Sequence, residues 1–177
     1  DFRGLASLAD AAPSFIREEF LTVEDVTLTD AAEIYDGLAA GNDAGAPAIY
    51  AHGYYISFEK GCRRAALLQE NANIVGRFLW FSWPSDGSLA YYTHDEADLY
   101  WSVPDLADAI IELERRFGGG AVDVVGLAFD YCVKFTALDA ASLGYATTVL
   151  LQGTRSVDPT TVETTTAELE AAGVCCR

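Results

Sequence analysis

Cys132 is the side chain of this sequence best placed for nucleophilic chemistry. It lies in the segment Gly126–Lys134, after the apolar run Ala121–Gly126 and in the first turn of a helical pattern that begins at Asp130 and is stopped at Gly144. The aligned dipoles and free N–H groups of a helix N-terminus stabilise a thiolate, which is the nucleophilic form of cysteine. The position therefore permits a cysteine nucleophile. The alternative is a small residue buried between helix and sheet, which is the commoner case for a lone cysteine, and position alone does not decide between the two.

Two further side chains are candidates for moving a proton at this site. His52 follows the apolar run Ala48–Ala51, and Asp130 precedes the cysteine by two positions. An imidazole within hydrogen-bond reach of a thiol acts as its base. The alternative for His52 is that His52-Gly53 only shapes a loop or an oxyanion turn. Asp130 is placed to cap the helix that begins there, and capping is its alternative role.

Three residues beside these groups are the predicted substrate contacts. Gly53 follows His52, Tyr131 adjoins the cysteine, and Trp83 ends the apolar run Val75–Trp83. Aromatic side chains near strand ends line apolar substrate pockets, but aromatic residues in and beside a buried strand usually belong to the core. Both interpretations stay open for Trp83.

Four short apolar runs, each followed by a helical pattern, must position these residues. The runs are short enough for buried strands, and they are Ala48–Ala51, Val75–Trp83, Ala121–Gly126 and Thr147–Gln152. The helical patterns begin at Ser57, Ser102, Asp130 and Asp158. Right-handed crossovers then give a mainly parallel sheet with helices on both faces, a three-layer α/β/α sandwich of the α/β class. Catalytic groups are expected at the carboxyl ends of its strands.

Two of the helix starts carry further signals. Ser102, with Asp105 three residues later, is typical of a capping box, so residues 84–101 are predicted to form a loop. Asp158-Pro159 is predicted to open the last helix, with proline at its first position.

Length and composition predict one soluble domain. The chain has 177 residues, 51% of them hydrophobic, and residues 1–177 are expected to fold as a single domain with one sheet. No run approaches the roughly 20 apolar residues of a membrane span. A net charge of −16 argues against nucleic acid and anionic lipid as partners. Four cysteines without a disulfide framework fit a reducing, cytoplasmic location, and homo-oligomer formation is left open.

Neither a cofactor nor a metal is expected, and the predicted ligand is a small-molecule substrate. His94-Asp95-Glu96 with Asp98 contains metal-ligand types, but one histidine among surface carboxylates is typical of a solvated loop. Adjacent cysteines form only a strained ring, so Cys175-Cys176 is expected to have no role.

The segment around Cys132 resembles the nucleophile segment of bacterial nicotinamidases, in the isochorismatase-like cysteine hydrolase superfamily. The resemblance covers about residues 122–174 and rests on Gly-Leu-Ala-x-Asp-Tyr-Cys-Val-Lys-x-Thr-Ala-Leu-Asp-Ala, followed by Leu-Gly-Tyr. It implies that Cys132 attacks a carboxamide carbon, that the N–H groups of Ala128 and Cys132 bind the oxyanion, and that the Leu127–Ala128 peptide is cis. The upstream aspartate, lysine and metal ligands of that family have no matching motif here. Its Asp-x-Cys-Arg-Gly-Val motif stands as Gln-Gly-Thr-Arg-Ser-Val in this sequence.

The preceding part, about residues 30–126, resembles a bacterial α/β-hydrolase family of unknown function. The resemblance rests on Ala-His-Gly-Tyr, Phe-Ser-Trp-Pro-Ser-Asp-Gly-Ser and Tyr-Thr-His-Asp-Glu. In that family a strand matching Val122–Gly126 leads into a Gly-His-Ser-x-Gly nucleophile elbow. Leu127 and Ala128 stand at its histidine and serine positions. The two resemblances meet at this strand, which indicates a mosaic of two hydrolase families.

Three functions remain open on these observations. The first is a cysteine hydrolase acting on a small carboxamide through Cys132. The second is a catalytically silent or recombinant α/β-hydrolase-like scaffold, because no triad is complete. The third is a serine-type esterase completed by a partner chain, which the residue at the serine position disfavours.

Overall fold

The part of the chain that the structure describes contains two separate sheets of parallel strands. The computed structural model describes residues 18, 20–41, 45–85 and 92–177. The chain divides into two units, Asp1–Phe117 and Gly118–Arg177, and each contains one of the sheets. The predicted α/β class with parallel strands is confirmed. The prediction of one domain with one sheet stays a prediction, and each unit is described below by itself.

The first unit is built on a two-stranded parallel sheet. Its strands pair from Ala48 opposite Phe78 to Ala51 opposite Phe81. Its described elements are α1 (Ala31–Ala40), β1 (Ala48–Ala51), α2 (Phe58–Asn71), β2 (Phe78–Phe81) and α3 (Tyr92–Phe117). β1 has the predicted bounds, whereas β2 is shorter than the predicted run.

Helix α2 begins where its sequence predicts. The Ser57 hydroxyl oxygen accepts a hydrogen bond from the Lys60 N–H at 3.4 Å, which satisfies one free donor of the first turn. On the inner side of α2, Gly61 lies against the indole of Trp80. A Cβ added at Gly61 would stand 2.8 Å from Cζ2 of that ring, so the glycine permits this close approach.

Helix α3 begins ten residues before its predicted start, so the capping-box prediction is wrong. The Ser102 hydroxyl donates to the carbonyl oxygen of Asp98, four residues back, at 2.8 Å, which is a bond made inside a helix. The residues from Tyr92 to Trp101 include no glycine or proline, so nothing stops the helix there. Pro104 lies within it. Residues 86–91 of the predicted loop lie outside the described residues.

The last turn of α3 carries a charged network. The Glu112 carboxylate accepts hydrogen bonds from Arg115 at 2.7 and 2.6 Å, and Arg116 also donates to it. Hydrogen bonds from Arg115 first, and then from Arg116, lower the pKa of Glu112 to about 2. α3 ends at Phe117, before Gly118, whose φ of +89° suits glycine.

The second unit is a three-stranded parallel sheet in the order β3-β4-β5. Its helices follow the strands. The elements are β3 (Ala121–Leu127), a π-helical turn (Phe129–Val133), α4 (Lys134–Ser142), β4 (Ala146–Arg155), a 3₁₀ turn (Pro159–Thr161), α5 (Val162–Ala171) and β5 (Cys175–Cys176). As predicted, helical structure follows Asp158, whose side chain accepts from the Thr160 N–H.

The pairing of β3 with β4 is interrupted by a bulge. Val124 lies opposite Val149, but Gly126 lies opposite Thr154, so residues 150–153 are inserted opposite a single residue, Val125. A Cβ on Gly153 would stand 2.9 Å from Cγ1 of Val125. A glycine therefore fits the crowded side of the bulge.

The core of the second unit lies between its sheet and its two helices. Phe129, Val149 and Leu169 are fully buried there. The whole buried cluster comprises Val124, Phe129, Val133, Ala137, Val149, Leu169 and Val174. The core therefore includes residues on both sides of Cys132 in the π-helical turn.

Cys175 and Cys176 lie in a strand that the sequence did not predict, while the expectation that they have no role as a redox pair stays a prediction. The two residues form β5, with Cys175 opposite Thr148 and Cys176 opposite Val149. The next residue continues this pairing, because the Arg177 N–H donates to Val149 at 3.1 Å and its carbonyl accepts from Leu151 at 2.7 Å. The pair was missed because two residues show no strand periodicity.

No helix among the residues that the structure describes is both long enough and apolar enough to cross a membrane.

Candidate functional site

The thiol of Cys132 is exposed in the helical turn that follows β3. The turn begins after the Leu127–Ala128 peptide, which is cis, as the nicotinamidase resemblance implies. The carbonyl oxygen of Ala128 accepts the N–H groups of Tyr131 and Val133, both at 3.1 Å. Cys132 stands between these two residues in the chain, within the turn that follows β3.

Burial of the flanking side chains turns the thiol outward. Phe129 is 2% exposed and Val133 is 3% exposed, and these residues, four apart on a helical segment, lie on one face against the core. Tyr131 is 56% exposed, and Cys132 is exposed beside it. The alternative interpretation of Cys132, a small residue buried between helix and sheet, is therefore wrong.

Asp130 is buried in the same turn and does not cap it. Its carboxylate accepts the N–H of Val157 at 2.9 Å, the N–H of Asp158 at 3.0 Å and the hydroxyl of Thr161 at 3.2 Å. The N-cap residue is Ala128, and no side chain makes a cap hydrogen bond there. The capping prediction failed because these donors lie 27 to 31 residues away, and no local pattern points to them.

The hydrogen bonds to Asp130 outweigh the cost of burying its charge. Burial by itself raises the pKa of this carboxyl, whereas the N–H groups of Asp158 and Val157 and the Thr161 hydroxyl together hold the pKa below its ordinary value. The carboxylate therefore stays ionised and ties the turn that carries Cys132 to the segment after β4.

The predicted residues of the first unit form a second group. The His52 ring is 4% exposed, with Nδ1 2.9 Å from the carbonyl oxygen of Gly53 and Nε2 3.3 Å from Oγ of Ser82. Trp83, also 4% exposed, stacks on this ring at 5.2 Å with 14° between the planes. Its indole N–H donates to the carbonyl oxygen of His52 at 2.8 Å. Trp83 is therefore a packed residue that holds His52.

The structure thus brings the predicted site residues together in two groups. Ala128, Asp130, Tyr131 and Cys132 share one turn of the second unit, while His52, Gly53 and Trp83 lie together in the first unit. The pairing of His52 with Cys132 stays a prediction. Ser82 was missed as a partner of His52, although its place directly after β2 was a signal.

Within the residues that the structure describes, no group of three or more His, Cys, Asp and Glu side chains could hold a metal ion. The side chains of His94 and Asp95, from the cluster weighed in the sequence, lie outside that description. The expectation of no metal there stays a prediction.

Comparison with known proteins supports both resemblances. A family model described as "Alpha/beta hydrolase of unknown function (DUF900)" matches residues 35–142, so the match extends past the expected boundary at 126 and includes Cys132. The nicotinamidase of Saccharomyces cerevisiae is 49% identical over 55 residues, 30% of this chain and 26% of that protein. The nicotinamidase of Escherichia coli is 50% identical over 52 residues, 28% of this chain and 24% of that protein.

The chain therefore spans about a quarter of the length of these relatives. Among solved structures, the yeast nicotinamidase bound to the inhibitor nicotinaldehyde is 38% identical, with a TM-score of 0.36. The similarity covers 38% of this chain and 32% of that one. The matches to two families confirm both resemblances read from the sequence.

Proposed function

Since the chain belongs to the family of alpha/beta hydrolases of unknown function, we propose that it is a hydrolase, and that its substrate is a small carboxamide attacked by Cys132. One observation carries the proposal, which is the exposed thiol in the first helical turn after a parallel strand. Carboxyl ends of parallel strands are where such folds place their reacting groups. The similarity to proteins named nicotinamidases supports a carboxamide as the substrate class.

The reaction would proceed in two balanced steps. Sγ of Cys132 bonds to the carboxamide carbon, the C–N bond breaks, and the thiol proton leaves on ammonia. Water then attacks the resulting thioester, which releases the carboxylic acid and restores the thiol. In this proposal the N–H groups of Ala128 and Cys132 bind the developing oxyanion. The exposed ring of Tyr131 contacts the substrate beside the thiol.

The surroundings of Asp130 support a positioning role for this carboxylate. It already accepts three hydrogen bonds, and its pKa lies below the ordinary value, so it is a weak proton acceptor. We assign it the task of holding the turn of Cys132 in place.

Ammonia release from nicotinamide, measured with wild type and Cys132→Ala, tests the proposal. We expect turnover in the wild type and none in the variant. Cys175→Ala is the matched control, because Cys175 is also an exposed cysteine of the second unit. Iodoacetamide should alkylate Cys132 faster than Cys175, as mass spectrometry of the two peptides would show. Equal alkylation rates, together with no turnover, would overturn the proposal.

A catalytically silent scaffold is the second candidate. The observation that favours it is Ala128, which stands where the α/β-hydrolase family carries its serine. A folded protein that releases no ammonia from nicotinamide or other small amides would support this candidate.

A further inference from the structure

We propose that Ser82 and His52 form a second nucleophile–base pair, in the first unit, that accepts acyl groups from small esters. The proposal is independent of Cys132. It starts from the hydrogen bonds of the His52 ring, which determine which nitrogen carries the proton.

The carbonyl oxygen of Gly53 fixes the tautomer of His52. A carbonyl oxygen only accepts hydrogen bonds, so Nδ1, at 2.9 Å from it, carries the ring proton. Nε2 of the neutral ring then presents its lone pair to Ser82. The Ser82 hydroxyl, 3.3 Å away, donates its proton toward that lone pair. This is the arrangement in which an imidazole serves as base to a hydroxyl.

Packing holds the imidazole in this orientation. Trp83 stacks on one face of the ring and Trp80 lies at 6.4 Å, tilted by 51°. The Trp83 indole also donates to the backbone carbonyl of His52. A base whose ring is fixed by a third group and by stacking loses little entropy when it takes up a proton.

Both residues lie at the carboxyl end of the two-stranded sheet. His52 directly follows β1 and Ser82 directly follows β2, whose last residues, Ala51 and Phe81, are opposite each other. Ser82 is half-buried and belongs to the lining of a cleft of about 200 Å³. Most of that lining is apolar or aromatic and includes Ile34, Tyr35, Leu79 and Phe81. Such a lining fits a short acyl group.

The proposed reaction is acyl transfer to the serine, followed by hydrolysis. Oγ of Ser82 bonds to the ester carbonyl carbon while its proton moves to Nε2 of His52. The ester C–O bond breaks, and the alcohol leaves with that proton. Water, deprotonated by the same nitrogen, then hydrolyses the acyl-serine to a carboxylic acid and restores the hydroxyl.

Labelling with a fluorophosphonate tests the proposal on the intact chain. We expect one adduct on the peptide that contains Ser82, identified by mass spectrometry. The assay is run on Cys132→Ala, so the thiol contributes nothing. Hydrolysis of p-nitrophenyl butyrate by the same protein is the second measurement. Adduct formation on this variant, together with no ammonia release from amides by the wild type, would leave this proposal standing while the proposed function fails.

Variants separate a catalytic role from a structural one. Ser82→Ala should abolish the adduct, and His52→Gln should slow labelling by about 10² to 10⁴-fold, the usual contribution of a general base. Ser102→Ala, which removes a buried serine of the same unit, should label at the starting rate. No adduct at Ser82 on the folded chain, or equal labelling of His52→Gln, would overturn the proposal.

Discussion

Leu169 tests the assignment of the second unit's core. Its side chain is 0% exposed and belongs to the cluster that contains Phe129 and Val133, the residues on either side of the Cys132 turn. Burying a whole leucine side chain stabilises by about 1.5–3 kcal/mol. Leu169→Ala also leaves a cavity, which brings the expected loss in free energy of unfolding to about 2–5 kcal/mol.

Leu143→Ala is the control, because it removes the same atoms from a side chain that is 77% exposed. We expect it to change the free energy of unfolding by less than about 0.5 kcal/mol. Urea unfolding followed by circular dichroism measures both variants, and hydrogen exchange of peptides from 118–177 confines the result to this unit. A loss for Leu169→Ala within about 1 kcal/mol of the control would refute the core assignment.

Three further tests concern a carboxylate of α3, a glycine of α2 and the Asp130 carboxylate. Because the pKa of folded Glu112 is about 2, below its ordinary value of 4.5, its stabilisation is present above pH 4.5 and is lost as the pH falls toward 2. Glu112→Gln should therefore match wild type in unfolding free energy at pH 2 and fall below it at pH 6, and a constant difference would contradict this. Gly61→Ala should destabilise by about 1–3 kcal/mol, because the added methyl group would clash with Trp80. Its control is Gly37→Ala, which has no atom within 4 Å of the added Cβ and should stabilise by up to ~1 kcal/mol. Thermal melting compares the two variants, and equal melting temperatures would exclude the clash. Asp130→Asn should speed hydrogen exchange at the two amides that the carboxylate accepts, as NMR would show, and unchanged protection would contradict the anchoring role.

The sequence predicted the elements whose signals are local. Short apolar runs correctly predicted the bounds of β1 and the position of β3. Ser57 and Asp158 accept hydrogen bonds at the two helix starts where capping was expected. Each of these signals acts within about four residues, so it can be read without knowing the tertiary structure.

Features set by distant partners were mispredicted or missed. β5 forms where Cys175 and Cys176 pair with β4, and the bulge at residues 150–153 brings Gly153 close to Val125. The start of α3 was also misplaced, because Ser102 and Asp105 have capping-box spacing, yet the Ser102 hydroxyl bonds inside a helix that is already formed.

At the candidate site too, the features set by local spacing could be predicted and those set by distant partners could not. The outward position of Cys132 follows from apolar residues at 129 and 133, a spacing visible in the sequence. The role of Asp130 does not follow from a local spacing, because a carboxylate at that position is equally compatible with a helix cap. Its donors, Val157 and Asp158, become neighbours only once β3 and β4 are paired.

The long reach of Asp130 has a consequence for the order of folding. Its hydrogen bonds close a loop of 27 residues or more. Closing such a loop costs chain entropy, so we expect these bonds to form only after β3, α4 and β4 have assembled. We expect these long-range contacts to form late, on the native side of the transition state. We therefore expect Asp130→Asn to leave the refolding rate nearly unchanged and to act mainly by accelerating unfolding, so that this carboxylate governs how long the Cys132 turn stays closed.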